Sequence, residues 1–490
     1  MIPGTTNSAA PPLYDLYIDG AWVPTAEGRT FPSKSPSSGE TLALIAEGDR
    51  EDARRAIAAA NAARDGISGL SAWDRAGLCR TIAEVMQSRA DRLARVLAAE
   101  QGKPLEREAR AEVAAAILGF EEAAEHIKWL ETAVIPVQDP NKRVHTFYQP
   151  RGVYAVITPW NFPLNIPVEY LSAGLAAGNA MVWVPAPTTS LCAIELTRCF
   201  EEAEVPPGVI NLVTGFGPVV GDEIVANPGT DAVTFTGSSA TGETIARRSA
   251  GKPLLLELGG NGPTIVLDDA DLTLAVSATA NSCFFNAGQV CSAAERILVQ
   301  DEIHDEFIDR LTAEARQVRL GDPFDASTTM GPLNNPHVAS KTDRHVADSV
   351  ARGSSVVIGG SRATGFRTDL FYLPTIVDHV SEDSLLNSEE TFGPVAPVIP
   401  VSSDTEALRV ANTGNLGLVS AVFTTSLRRA YYFGERLRTG IVNVNDTSNY
   451  WELHIPFGGV AGKRSGIGRL GGKHTIMSMS DLRTMCIDLR

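Results

Sequence analysis

Ala232-Val233-Thr234-Phe235-Thr236-Gly237-Ser238-Ser239-Ala240-Thr241-Gly242 decides the fold of this chain. A short run suited to a buried strand enters a glycine turn with small hydroxyls, and helix-forming residues follow. That order aims backbone N–H groups and a helix N-terminus at a phosphate. Toward the N-terminus the pattern recurs. Val153–Ile157 leads into Thr158-Pro159-Trp160-Asn161-Phe162-Pro163, Ala180–Val184 into Pro185-Ala186-Pro187-Thr188, and Val209–Val213 into Gly215-Phe216-Gly217-Pro218. Repeated strand–helix alternation implies an α/β fold with a parallel sheet of Rossmann type. The Gly215 turn is not a GxGxxG fingerprint, and alone it is weak support for a dinucleotide.

Toward the C-terminus lies the chemistry. Glu257 precedes the pair Gly259-Gly260, and Cys291 ends the small-residue loop Asn286-Ala287-Gly288-Gln289-Val290-Cys291-Ser292. Covalent catalysis by a thiol, followed by hydrolysis of the adduct, needs a nucleophile and a base that can activate water. This stretch supplies both. The other five cysteines, Cys79, Cys192, Cys199, Cys283 and Cys486, read as small buried apolar residues. None forms a CxxC pair or sits in a histidine cluster, so neither a disulfide framework nor a metal site is expected.

With 490 residues the chain exceeds a single core, and two to three domains are expected. It is 44% apolar and 20% charged, the composition of a soluble globular protein. A formal charge of −16 argues against nucleic acid or anionic membrane as a partner. No apolar run approaches the ~18 residues of a membrane span. MIPGTTNSAAPPL has no basic start and no long apolar stretch, so it reads as a short mobile lead of a cytoplasmic protein and not as a secretory signal.

Leu16 to Val23 reads as a hairpin around Asp19-Gly20. Helical spacing covers Arg50 to Arg64, Ser71 to Gln101 and Leu105 to Leu130, with Gly102-Lys103-Pro104 as a stop. Ile135 to Pro150 is extended and proline-rich, an edge strand that needs a partner. Downstream, Ile297–Val299 is a strand, His304 to Arg319 a helix, and Ser478 to Leu489 a terminal strand. Asn161 stands at the carboxyl end of a strand, where open α/β sheets bind ligands. Its amide suits either an oxyanion donor or a helix cap. Glu390 suits either a ribose diol or a solvated acidic pair ahead of Gly393-Pro394.

These segments closely resemble the aldehyde dehydrogenase superfamily, in its NAD(P)-dependent, hydrolytic branch. Glu257–Gly260 is similar to its ELGG motif, Gly288–Cys291 to GQxC, Pro159–Pro163 to PWNFP and Phe235–Gly242 to FTGSxxxG. Glu389–Val395 is similar to EExFGPV, and Pro456–Gly459 with Ser465–Arg469 continues the likeness, which runs from about Tyr17 to Leu489. It implies a Rossmann-like dinucleotide-binding domain (1–131 and 151–258), an α/β catalytic domain (259–463) and a small β oligomerisation arm and tail (132–150 and 476–490).

The resemblance also implies oxidation of an aldehyde to an acid by a homodimer or homotetramer. Cys291 is then the nucleophile, Glu257 the base and Asn161 the oxyanion donor. NAD or NADP would rest on Thr158, Pro159, Trp160, Val184, Pro187, Gly217, Phe235, Thr236, Gly237, Ser238, Gly242, Leu258, Gly259, Glu390 and Phe392. The aldehyde would meet Leu164, Glu169, Tyr170, Phe285, Val290, Ser292, Tyr450, Trp451 and Phe457.

The pattern breaks in four places. Val184 and Pro187 stand where the family commonly has the lysine and glutamate of the adenosine ribose, which leaves NAD and NADP both open. Tyr170 and Asn261 replace common lysines, and Val460–Arg464 is about two residues longer than usual. Two other readings compete: a CoA-acylating relative, disfavoured by Glu257, and a cofactor-binding homologue without turnover.

Overall fold

The computed structural model describes residues 10–249 and 251–490. Most of the expected N-terminal lead lies outside them. Two large sheets dominate. In the first, the five central strands Leu254–Glu257, Ala232–Thr236, Val153–Ile157, Ala180–Val184 and Ile210–Leu212 are parallel in that order. Antiparallel strands close its edges: Gly466–Ile467 beside Leu254–Glu257, and Leu16–Ile18 beside Ile210–Leu212. The chain enters at Val153–Ile157, builds outward to Ile210–Leu212, then returns to lay Ala232–Thr236 on the other flank. The order therefore reverses between Val153–Ile157 and Ala232–Thr236, and an open α/β sheet takes its ligand at the carboxyl end of such a switch.

The second sheet runs Ser355–Ile358, Thr375–Asp378, Val395–Val401, Ala294–Gln300, Gly262–Val266, Val419–Phe423 and Ile441–Val444. All neighbours are parallel except the first pair. Both faces are covered: Ile297 and Val299 belong to one apolar core and Leu298 to another. Burial on both sides explains the unbroken apolar runs of these strands. The core of the first sheet also takes in Leu470, Ile476 and Met479 from near the C-terminus.

A separate arm pairs Lys142–Pro150 with Val134–Ile135 and, along nine antiparallel residue pairs from Ser480↔Pro150 to Asp488↔Lys142, with the terminal strand Ser480–Asp488. The edge strand expected near His145 thus finds its partner in the C-terminal segment. Cys486 lies exposed on this arm, which corrects the reading of it as buried, while Cys79, Cys192, Cys199 and Cys283 are buried.

The hairpin forms with Ile18 opposite Ala21 and with Asp19 (φ 55°) and Gly20 (φ 77°) in the two-residue turn. The single helical run expected from Ser71 to Gln101 is two helices, Ala72–Ser88 and Ala90–Gln101, broken at Arg89. The next begins with a wide turn at Leu105–Ala109 before Arg110–His126, and the helix from His304 ends at Ala315. No helix among the described residues is long and apolar enough to cross a membrane.

Candidate active site

The loop that delivers Cys291 follows the helix Leu272–Phe284 and passes through three left-handed residues: Asn286 (φ 50°), Ala287 (φ 53°) and Gly288 (φ 71°). Two non-glycine residues in that region cost about 1–2 kcal/mol each, so surrounding contacts must hold them. Asn286 is the anchor. Its backbone N–H donates to Glu108 Oε1 (3.1 Å) and its Nδ2 to the Asn161 carbonyl (3.1 Å), while its Oδ1 accepts from Gln101 Nε2 (3.0 Å). Gln289 adds a bond from Nε2 to the Asn286 carbonyl (2.8 Å) and accepts the Asn334 N–H at Oε1 (2.8 Å). At Gly288 a Cβ would fall 2.1 Å from the Gly393 carbonyl oxygen, so the backbones meet there only without a side chain.

Asn161 is not a helix cap. The helix Asn165–Ala177 has no side-chain cap of its own; the Glu112 carboxylate accepts the N–H groups of Leu164 (3.0 Å) and Asn165 (3.2 Å). Buried Lys103 pairs with Glu112 at 2.5 Å and lies 3.5 Å from the Phe162 ring centroid. Asn161 is thereby left free to face the Cys291 loop. It is 4% exposed, and its Nδ2 donates to the Gln289 carbonyl at 3.1 Å.

Glu257 ends the strand Leu254–Glu257 with both carboxylate oxygens buried and unpartnered. Burial pushes its pKa well above the usual carboxylate range, the Glu169 charge adds to the rise, and Arg469 opposes it. Burial likewise pushes the Cys291 thiol up, helped by Glu390, Glu257 and Glu169. Gly260 explains how strand and loop meet: a Cβ there would lie 1.9 Å from the Cys291 carbonyl oxygen.

Cys291 stands where two cavities join. One, of about 180 Å³, is lined by Glu257, Glu169, Asn165, Phe162, Phe285, Val290, Ser292, Asn449, Trp451, Phe457 and Leu470. The other, of about 190 Å³, is lined by Pro159, Trp160, Asn161, Gly237, Ser238, Gly259, Asn335, His337, Lys341, Glu390 and Phe392. Both share Ile166, Thr236, Leu258 and Cys291. Glu390 accepts the Gly260 N–H at 2.9 Å. Glu295 accepts the N–H groups of Thr391 and Phe392, both at 2.6 Å, and so holds Phe392 at φ 62° with its ring edge-on to Trp160. A third cavity, of about 730 Å³, opens between the turn Gly217–Gly221 and the helix Ser239–Arg248, against Ile157, Asp222, Thr241 and Arg248.

Most expected residues therefore line a cavity, and the others have identifiable reasons not to. Leu164 is packed in the core, and Tyr170 is fully buried with its hydroxyl 2.6 Å from Thr236 Oγ1. Tyr450 turns outward to Glu452 (2.9 Å). Thr158 accepts the Trp183 indole N–H (2.8 Å), and buried Val184 accepts the Thr158 N–H through its carbonyl. Pro187 opens a short helical turn. The Phe235 ring packs beneath Gly237, and Gly242 makes room for Leu258. These residues shape the walls without forming them.

Sequence reading missed Phe162, Asn165, Ile166 and Leu470 in the first cavity and Asn335, His337 and Lys341 in the second. The Asn335 side chain caps the helix Pro336–Ala351, and Asn-Pro ahead of a helical run was the available signal. Among the described residues, His304, Asp378 and His379 form one group with metal-like spacing. Its members are already bonded to one another, His304 Nε2 and His379 Nδ1 each lying 2.9 Å from an Asp378 oxygen.

A sequence model of the aldehyde dehydrogenase family matches residues 22–485. The chain belongs to the aldehyde dehydrogenase family. It is 38% identical over 474 residues to the glutarate-semialdehyde dehydrogenase of Pseudomonas aeruginosa, covering 96% of this chain and 97% of that one. Identity to the NADP(+) succinate-semialdehyde dehydrogenase of Escherichia coli is 37%, with the same coverage. The crystal structure of a point mutant of betaine aldehyde dehydrogenase from Staphylococcus aureus in complex with NAD+ superposes with a TM-score of 0.94 at 34% identity, covering 97% of this chain and 96% of that chain. Like other aldehyde dehydrogenases, this one is an oxidoreductase that takes aldehydes.

Proposed function

We propose that this aldehyde dehydrogenase oxidises its substrate to the acid through Cys291, with Glu257 as general base, Asn161 as oxyanion donor and NAD or NADP as oxidant. The observation that carries this is the position of Cys291 at the junction of two cavities, with Glu257 on one and Asn161 on the other.

The elevated Glu257 carboxylate suits a group that must take a proton and later return it. It accepts the Cys291 proton, and the sulfur bonds to the aldehyde carbon. The new oxyanion meets the Asn161 amide and the Cys291 backbone N–H, each donor worth about 3 kcal/mol at the transition state. Loss of hydride from that carbon leaves a thioester on Cys291. Glu257 releases the Cys291 proton to solvent, then takes a proton from water as the hydroxide attacks the thioester carbon, and returns that proton to the Cys291 thiolate as the acid departs.

When bound, the nicotinamide supplies the hydride acceptor. The residues present suit a dinucleotide. Glu390 holds one oxygen on Gly260 and keeps another for a ribose hydroxyl, Trp160 and Phe392 offer ring faces, and the helix that opens with Ser238 as its cap presents N–H groups beside the cavity of about 730 Å³. Val184 and Pro187 place neither a cation nor a carboxylate at the carboxyl end of the strand Ala180–Val184, so we infer no strong choice between NAD and NADP. A retained Glu257 favours water over CoA as the acyl acceptor. Residues 1–131 and 151–258 then form the cofactor half and 259–463 the catalytic half. On the arm, Val134, Leu482 and Met485 are exposed, apolar surface that supports assembly as a homodimer or homotetramer.

The test is a pair of variants. Cys291→Ser should lower aldehyde-dependent cofactor reduction by orders of magnitude. Glu257→Gln should impair deacylation more than hydride transfer, leaving a burst of reduced cofactor ahead of a slow steady rate. A Cys291→Ser enzyme with full activity would refute the assignment.

A further inference from the structure

The cavity that receives the aldehyde carries an unusual wall. Among its lining residues there is no lysine, arginine or histidine, yet there are two carboxylates, Glu257 and Glu169. Glu257 is committed to the reacting carbon. Glu169 is not. It projects from the helix Asn165–Ala177, where Asn165 Nδ2 donates to its Oε1 at 3.1 Å. The carbonyl oxygen of that same Asn165 side chain is buried with no donor. The carboxylate has that single N–H partner and the amide oxygen, one turn away on the same helix face, has none, and an unpaired buried acceptor carries a desolvation cost that a ligand can relieve.

The remaining walls are aromatic. Phe162 and Phe285 stack with centroids 6.2 Å apart. Trp451 meets Phe457 edge-on at 5.4 Å, its orientation fixed by an indole N–H bond to the Ile455 carbonyl (2.9 Å). Aromatic faces attract a cation through their quadrupole and offer nothing to an anion. Behind Glu169 a cavity of about 20 Å³, room for one water, separates it from Glu122, a further carboxylate. Arg469, the guanidinium that acts on Glu257, is tied to the carbonyls of Gly459 and Gly468 (both 2.7 Å) and is not part of the wall.

We infer that Glu169 and Asn165 form a cation subsite, and that the substrate is an aldehyde bearing a protonated amine at its far end. This rests on the proposed role of Cys291 and extends it to the tail of the substrate. The relatives from Pseudomonas aeruginosa and Escherichia coli are named for aldehydes that end in a carboxylate. Such a tail would enter this cavity against Glu169 with no cation to meet it. An ammonium instead donates to Glu169 and to the Asn165 oxygen while its methylene chain lies among the rings. Burial alone pushes the Glu169 carboxyl up to about 8, and an ammonium against it favours the ionised form.

The experiment compares 3-aminopropanal, butanal and succinate semialdehyde in the wild type, in Glu169→Gln and in Glu169→Arg. The quantity read is the ratio of kcat/KM values within each preparation, which is independent of how much of a variant folds. In the wild type, 3-aminopropanal should exceed butanal, and butanal should exceed succinate semialdehyde. Glu169→Gln should lower the aminopropanal-to-butanal ratio by about tenfold to a hundredfold, the size of a charge-assisted hydrogen bond. Glu169→Arg should invert the order in favour of succinate semialdehyde. A wild-type preference for succinate semialdehyde, or a ratio unmoved in Glu169→Gln, would overturn the subsite and leave the Cys291 chemistry standing. If no aldehyde is oxidised by the wild type, the fault lies in the mechanism itself.

Discussion

Replacing Gly260 by alanine tests the geometry most directly. The added Cβ would sit 1.9 Å from the Cys291 carbonyl oxygen, where ordinary contact begins near 3.4 Å, so one of the two backbones must move by about 1.5 Å. The Cys291 loop has little freedom to retreat, because Asn286 and Gln289 hold it to Glu108, Gln101, Asn161 and Asn334. Gly260 is itself tied through its N–H to Glu390. The movement therefore separates Cys291 from Glu257 or pulls Glu390 from its place. A misplacement of about 1 Å costs on the order of a hundredfold in rate. We expect Gly260→Ala to lose at least that much in kcat/KM. Overpacking should cost about 1–3 kcal/mol of stability, lowering Tm by several degrees. Aldehyde-dependent formation of reduced cofactor, with circular dichroism to confirm the fold, reads both. Gly66→Ala is the control, since nothing lies within 4 Å of its Cβ position, and it should keep full activity. A folded Gly260→Ala enzyme working at the wild-type rate would show that contact between the glycine pair and Cys291 does not set the site.

Because Glu257 serves as a base only when ionised and its pKa is raised, kcat should climb as pH rises through that raised value, a limb that stopped-flow deacylation rates will show and that Glu257→Gln should lack. The same shift has a stability sign. A carboxyl whose folded pKa exceeds its unfolded value favours the fold below the unfolded pKa and loses that advantage as pH rises through the folded one. The Tm of Glu257→Gln relative to the wild type should therefore increase from acidic to alkaline pH. Glu112→Gln should cost about 3 kcal/mol or more in chemical denaturation, because it leaves buried Lys103 without its partner. Removing residues 480–490 strips the partner from Lys142–Pro150, and light scattering should then report a smaller assembly or aggregation in place of the proposed oligomer.

In the first sheet Leu254–Glu257 and Gly466–Ile467 were not read as strands; the four parallel strands before them were legible because each is a short apolar run closed by a glycine or proline turn. Their order in space was not. The reversal between Val153–Ile157 and Ala232–Thr236 depends on pairing across many intervening residues. The helix breaks were also hidden, since at Arg89 the apolar spacing continues across a residue that carries no breaker signal. Among site residues, those in strand-end turns were visible by type and position. Phe162, Asn165 and Leu470 were not, because a bulky or amide side chain near a turn looks the same whether it faces a cavity or a core. Tyr170 shows the converse. It stands at a position that implied contact with substrate, but its hydroxyl is drawn under the sheet by Thr236.

Asn161 shows why local reading stops short of chemistry. An asparagine just ahead of a helical run reads as well as a cap as it does as a donor, and nothing within that segment separates the two roles. The decision is made by Glu112, on a different helix, which takes the N–H groups of Leu164 and Asn165. A carboxylate buried there would be costly alone, so Lys103 is buried with it, and the ring of Phe162 covers the ammonium. Glu112 and Lys103 from outside the motif, with Phe162 from within it, thus relieve Asn161 of a structural duty and leave its amide beside the Cys291 loop. Glu112→Gln should accordingly slow acylation as well as weaken the fold, because a cap transferred back toward Asn161 withdraws the donor from the oxyanion. A variant that lost stability yet acylated at the wild-type rate would show that the cap and the donor are independent.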